Sequence, residues 1–130
     1  MHSLKDAELI RTVALPAAGA SASTASIDLA ATTQAESHFE AEISVPALPN
    51  LAEGKTATVT LEDSANDASF AAIAGLAPLE VTGGTGGGAS AASLRVRLPN
   101  SARRHLRATA DVEAAGGDNT AVSVTLALIF

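Results

Sequence analysis

The residue pattern that most invites a chemical interpretation is a glycine run at residues 83–88, Gly-Gly-Thr-Gly-Gly-Gly. A phosphate-binding P-loop needs Lys followed by Ser or Thr after its last glycine, and here Ala89 and Ser90 follow instead. A dinucleotide-binding fingerprint needs a further glycine at position 89 and a helix after it. The run therefore predicts a flexible loop, or one ordered by an assembly, and we expect no cofactor.

Three histidines, His2, His38 and His105, are the candidate metal ligands. No two of them stand at i, i+2 or i, i+4, so the local spacing typical of a zinc site is missing. We expect no bound metal, and we interpret these histidines as solvent-exposed residues of strands.

Nucleophilic and acid–base chemistry also lack their usual patterns. The chain has no cysteine, which excludes thiol nucleophiles, zinc–thiolate sites and disulfides. Serines are common, but no Gly-x-Ser-x-Gly nucleophile elbow occurs. Glu40 and Glu42 share one face of a predicted strand, and the chain offers no aromatic pocket of the kind that surrounds a catalytic acid. We therefore expect no catalytic residue and a protein that is not an enzyme.

The composition predicts one domain with a core of small aliphatic residues. The chain has 130 residues, of which 47% are hydrophobic, but 30 of these are alanines and there is no Trp or Tyr. Large aromatic side chains, which contribute most per residue to cores and interfaces, are nearly absent. The core must rest on Val, Leu and Ile, so we expect modest monomer stability that an oligomer or larger assembly would increase.

The charge is acidic overall and unevenly spread. The net charge is −6, yet five arginines lie between Arg95 and Arg107. Because the chain is acidic and no aromatic residues alternate with these arginines, we expect no nucleic-acid binding. The first eight residues lack an apolar signal-peptide region, and no apolar run approaches the ~18 residues of a membrane helix, so we expect neither secretion nor a membrane partner.

Period-two alternation of apolar and polar residues dominates the chain and predicts half-buried β-strands. In the last third, Leu94 and Val96 alternate with Arg95 and Arg97, and a similar alternation covers residues 105–112 and 122–129. Residues 70–73 are consistent with a short strand or one helical turn. We predict a single domain over residues 1–130, an all-β, jelly-roll-like antiparallel sandwich with an N-terminal arm of about residues 1–8 and roughly eight short strands: 8–15, 26–30, 38–45, 56–63, 79–82, 94–98, 105–112 and 122–129. The intervening segments, including residues 16–24 and 83–92, are predicted loops.

If residues 99–103 form a hairpin loop, Arg97 would face His105 and Arg95 would face Arg107. Like charges opposite one another on a sheet are destabilising. Acidic groups should therefore lie nearby, and we predict that the outward Glu40 and Glu42 neutralise Arg95 and Arg97. For the turn residues we predict contact with a partner protein.

The segment Leu98-Pro99-Asn100-Ser101-Ala102-Arg103-Arg104-His105-Leu106-Arg107, followed by a glycine turn and a final apolar strand, resembles the capsid cement (decoration) proteins of tailed bacteriophages. Ser26-Ile27-Asp28-Leu29 and the Thr-rich segment 56–61 followed by Glu62-Asp63-Ser64 are also similar to that family. His105 stands where the family usually has an aromatic residue. The resemblance implies a jelly-roll-like sandwich without catalytic residues. It also implies a homotrimer that binds the major capsid protein on the outer surface of the virion, after assembly in the host cytoplasm.

The predicted contacts with neighbouring chains lie in the N-terminal arm, the glycine loop and the arginine turn: Met1, His2, Leu4, Lys5, Gly84, Gly86, Gly88, Arg103 and Arg104. The segment Arg104-His105-Leu106-Arg107 also resembles discoidin-like sandwiches that bind sugars, so a non-catalytic carbohydrate-binding module is the alternative. Its weakness is that sugar platforms normally use Trp or Tyr. A small non-catalytic subunit of an enzyme complex is a third possibility.

Overall fold

A computed structural model describes residues 5–29, 40–99 and 102–129 of the chain. They form two antiparallel sheets of ten strands: β1 (Lys5–Ala14), β2 (Ser21–Ser23), β3 (Ile27–Asp28), β4 (Glu40–Val45), β5 (Thr56–Ser64), β6 (Ala71–Ala72), β7 (Leu79–Thr82), β8 (Ala92–Arg97), β9 (His105–Val112) and β10 (Ser123–Ile129). Within these three ranges there is no α-helix, and so none that is long and apolar enough to cross a bilayer.

The strand order is that of a jelly roll. Sheet 1 has the order β1-β10-β4-β8, and sheet 2 has the order β2-β9-β5-β6, with β3 also paired to β9 and β7 also paired to β5. Strands β2 and β3 are two pieces of one strand position, and so are β6 and β7. Counted this way the chain has eight positions, ordered 1-8-3-6 and 2-7-4-5, which is the double Greek-key arrangement of a jelly roll. The predicted sandwich of roughly eight strands is confirmed.

The predicted alternation places the core between the two sheets. In β9, Leu106, Ala108 and Ala110 are fully buried, and the residues between them are half exposed. Strands β4 and β5 show the same pattern, with Ile43 and Val59 among the largest buried side chains. The buried hydrophobic residues of the described part of the chain are all aliphatic.

Strand β10 departs from the simple alternation. Ala127 and Ile129 have the parity of the outward face, yet they are only 2% and 3% exposed. Ala127 is a small residue that stands in register between the larger Ile10 of β1 and Glu42 of β4, and these neighbours leave little of it accessible. The sequence alternation alone predicted both residues to be outward.

Arg11 in β1 has the same parity as Leu9 and Val13, which pack against the core, so alternation alone would place a charged side chain on the inward face. Its Nε donates a hydrogen bond to the carbonyl oxygen of Ser26 at 3.2 Å, and its Nη1 donates to the carbonyl of Ile10 at 3.1 Å. Since β1 is an end strand of its sheet, the guanidinium reaches across the edge of the sandwich to polar backbone.

Two predicted loop segments contain strand. The first strand begins at Lys5 rather than at residue 8, so residues 5–8 of the predicted arm belong to β1. Residues 21–23, predicted as loop, form β2 against β9. Their serine hydroxyls face β9, where Ser21 bonds the Asp111 carboxylate and Ser23 lies 2.8 Å from the Thr109 hydroxyl. These long-range contacts offset the low strand propensity of the segment.

The hairpin that the sequence analysis considered for residues 94–98 and 105–112 does not form. Strand β8 pairs with β4 in sheet 1, whereas β9 pairs with β5 in sheet 2, so the chain crosses from one sheet to the other. Arg95 and Arg97 therefore project from the outer face of sheet 1, and His105 and Arg107 from that of sheet 2. Because they lie on opposite sides of the sandwich, the predicted opposition of like charges does not occur.

Candidate functional site

The outward face of β8 has the predicted acidic neighbours on β4. Glu42 stands opposite Arg95 in register, and their side chains approach to 3.5 Å; Glu40 lies 3.9 Å from the same guanidinium. This confirms the prediction of an internal partner for Arg95. Arg97 stands opposite Glu40 in register and is exposed, and within the described residues it makes no ion pair.

Arg103 is tied to the end of β5 by a compact set of hydrogen bonds. Its Nε and Nη2 donate to Asp63 Oδ1 at 2.9 and 2.7 Å, its backbone N–H donates to Oδ2 at 2.9 Å, and Nη2 also donates to the Asp63 carbonyl at 2.8 Å. The Asp63 side chain is 7% exposed and that of Arg103 is 44% exposed. Burial alone raises the pKa of the Asp63 carboxyl, but the hydrogen bonds and charge of Arg103 outweigh burial and hold this pKa below its usual value.

Arg104 forms a second, more exposed pair. Its Nε and Nη2 donate to the two carboxylate oxygens of Asp28, both at 2.8 Å. Both arginines of the turn therefore have acidic partners within the chain, on β5 and on β3. The sequence analysis missed these partners because both arise from pairing in sheet 2, with β9 placed between β3 and β5. Contact of these arginines with a partner protein stays a prediction.

The outer face of sheet 2 continues this network. Arg107 Nε donates to Glu62 Oε1 at 2.8 Å, and Thr109 Oγ1 donates to the same oxygen at 2.7 Å. The Arg107 guanidinium also lies 4.0 Å from the centroid of the Phe70 ring. That cation–π contact covers one face of the ring, which therefore cannot stack on a ligand.

His105 occupies the corner where these elements meet. Its Nδ1 is buried without a hydrogen-bond partner and lies 3.9 Å from Asp67 Oδ1. The loop carrying Asp67 is shaped by Asn66, whose Oδ1 accepts hydrogen bonds from Ser64 Oγ and from the backbone N–H groups of residues 68 and 69. No group of three or more His, Asp or Glu side chains suited to a metal ion occurs in the described ranges; His2 and His38 lie outside them.

The glycine loop is held by the chain itself. Gly86 N–H donates to Glu53 Oε1 at 2.8 Å, Gly88 N–H donates to the Leu51 carbonyl at 2.7 Å, and Gly84 N–H donates to the Gly88 carbonyl at 2.8 Å. These donors are engaged within the chain, unlike those of a loop that receives a phosphate. Contact of Gly84, Gly86 and Gly88 with neighbouring chains stays a prediction. The sequence analysis missed Glu53 because nothing in its surroundings indicated a partner more than thirty residues away.

The remaining predicted contacts belong to the N-terminus. Met1, His2 and Leu4 lie outside the described residues, and Lys5 pairs through its backbone with Ile129 at the start of β1. Their predicted contact with neighbouring chains is a prediction that the described structure does not address.

These observations describe a sandwich in which four arginines, Arg95, Arg103, Arg104 and Arg107, bind the chain's own carboxylates. The chain was also compared with protein-family models and with curated proteins, and neither comparison found a match. The candidate site is therefore the arginine corner, which we define as Asp28, Asp63, Arg103, Arg104 and His105, together with the surfaces beside it.

Proposed function

We propose that this chain is a structural decoration protein that binds the outer surface of a tailed-bacteriophage head as a homotrimer and stabilises contacts between major capsid subunits. In this role the chain is located on the virion and catalyses no reaction.

The observation that carries the proposal is the strand order of the sandwich. The resemblance of residues 98–107 to capsid cement proteins implies a jelly roll, and the order 1-8-3-6 and 2-7-4-5 is that topology. Jelly rolls also serve other functions, so the fold supports the proposal only together with the resembling segment.

The arginine corner adds a physical argument. Arg103 and Arg104 bind Asp63 and Asp28, and this links the segment before β9 to β5 and β3. A protein that clamps other subunits benefits from a rigid surface, because little conformational entropy is then lost on docking. The exposed parts of both guanidinium groups remain accessible to a partner.

The alternative, a carbohydrate-binding module, has less support. The chain has no Trp or Tyr, and one face of the Phe70 ring is covered by Arg107. The Trp and Tyr platforms that normally bind sugar rings are therefore missing, and the one aromatic ring on the described outer face of sheet 2 offers at most a single face.

The test is a binding titration with capsids of the phage that encodes the chain, prepared without it. We expect saturable binding, labelling of the outer surface by immunogold, and a higher temperature for the loss of packaged DNA. Sedimentation of the free chain should give about three times the monomer mass of 12.9 kDa. Absence of binding to such capsids, combined with specific retention on a glycan array, would replace this proposal with the carbohydrate-binding alternative.

A further inference from the structure

Strand β8 is the most regular end strand of the described sheets. Its six residues pair one to one with β4, with no shift in register. Strand β1, at the opposite end of sheet 1, has a register shift between Lys5 and Ile10, and the end strands of sheet 2 contain only two to four residues each. A regular edge presents free backbone N–H and C=O groups that another strand can pair with.

The inward side of β8 is incompletely buried. Leu94 and Val96 are half buried, whereas Ile43 and Ala41, opposite them on β4, are 0% exposed. A further strand beside β8 with apolar residues at its inward positions would cover Leu94 and Val96. Burial of apolar surface contributes about 25 cal/mol per Å².

The outward side of β8 is positively charged. Arg97 makes no ion pair within the described part of the chain, and the Arg95 side chain is 41% exposed although it contacts Glu40 and Glu42. A neighbouring strand with carboxylates at its outward positions would place them across from these two arginines, where opposite charges are favourable.

A second copy of β8 is a poor occupant of this edge. Antiparallel pairing of β8 with itself would bring two rows of arginines side by side on one face. Like charges at that separation are unfavourable, and charged residues on an end strand are a common protection against self-association. The two arginines therefore disfavour a second copy and favour an acidic partner.

We propose that β8 is a docking strand for an extended segment of another protein in which apolar residues alternate with Asp or Glu. The segment adds to sheet 1 as a fifth strand: backbone hydrogen bonds supply affinity, and the alternation supplies specificity. This inference goes beyond the proposed function, since it requires no capsid.

The probe is a synthetic peptide with the sequence of residues 40–45. In the chain these residues form β4, which pairs with the inner edge of β8, and the peptide would pair with the outer edge. A matched control peptide carries lysine at both glutamate positions. Backbone NMR of the labelled chain should show shifts at Ala92–Arg97 on addition of the acidic peptide, with binding about fivefold weaker for the lysine peptide, the factor expected of an exposed ion pair.

The variant Arg97→Glu should reverse this preference, so that the lysine peptide binds more tightly than the acidic one. The comparison of the two peptides on the unmodified chain tests the proposal even if that variant folds poorly. Equal binding of both peptides, or shifts confined to residues outside β8, would overturn the proposal. So would a free chain that sediments as a dimer with its β8 amides already protected from hydrogen exchange, because a second copy would then occupy the edge.

Discussion

Arg103 makes four hydrogen bonds to Asp63, three of them to the carboxylate and one to the backbone carbonyl. The two residues are 40 positions apart in the chain. Asp63 lies at the end of β5, and Arg103 lies in the segment that precedes β9. The carboxylate is nearly buried, while the guanidinium is partly exposed. Removal of Arg103 would therefore leave a buried charge, whereas removal of Asp63 would leave a charge that water can solvate.

Arg103→Ala should lower the free energy of unfolding by about 2–3 kcal/mol, because it leaves a buried carboxylate without its charged donor. Arg104→Ala is the matched control, since its partner Asp28 has a side chain that is 36% exposed and can be solvated. Urea denaturation of both variants at neutral pH measures the difference. Equal effects of the two substitutions would show that the burial of Asp63 does not matter.

The strands were largely predictable because period-two alternation is a local property. Strands β4, β5, β7 and β9 lie within one or two residues of their predicted bounds, apart from residues 38 and 39, which lie outside the described structure. The pairing of strands was not predictable in the same way. Consecutive strands pair often, which favoured a β8–β9 hairpin, but in a jelly roll the chain crosses between sheets at this point.

The contacts of the candidate site were predictable where they depended on local alternation and were not predictable where they depended on strand order. The pairing of Arg95 with Glu42 was predicted because both residues lie on strongly alternating strands whose outward faces were clear. The partners of Arg103 and Arg104 were not predicted, since each depends on which strands flank β9. Sequence spacing contains no information on that order.

Gly86→Ala should destabilise the fold by about 1 kcal/mol, because Gly86 has φ of +80° and an L-residue is strained there even though nothing lies within 4 Å of the added Cβ. Gly84→Ala is the control, with ordinary φ and its nearest atom, the Gly88 carbonyl oxygen, at 3.7 Å. Thermal unfolding monitored by circular dichroism compares them. An equal loss of stability in both variants would mean that loop packing, and not backbone conformation, determines the destabilisation.

Ala108→Leu should lower stability by about 1–3 kcal/mol, since Ala108 is 0% exposed between the two sheets and a larger side chain must displace its neighbours. Ala72→Leu, on the exposed strand β6, is the control and should change stability by less than about 0.5 kcal/mol. Urea denaturation measures both. A neutral or stabilising Ala108→Leu would indicate unfilled space in the core and contradict the close packing inferred from burial.

Asp63→Asn should change how stability depends on pH. The pKa of Asp63 in the folded chain lies below its usual value of 3.8, so between these two values the unfolded chain binds more protons than the folded chain does. The stabilisation from the ionised carboxylate is therefore fully present above about pH 5 and is lost as the pH falls through the folded pKa. We expect the stability gap between the unmodified chain and Asp63→Asn to be largest near pH 7 and to shrink in acid, as measured by thermal unfolding from pH 7 to pH 2.

Asp118→Asn is a useful comparison, because hydrogen bonds from Thr120 also lower the pKa of Asp118, but at an exposed turn. A gap that stays constant over the whole range would mean that hydrogen-bond geometry, and not the charge of Asp63, provides the stabilisation.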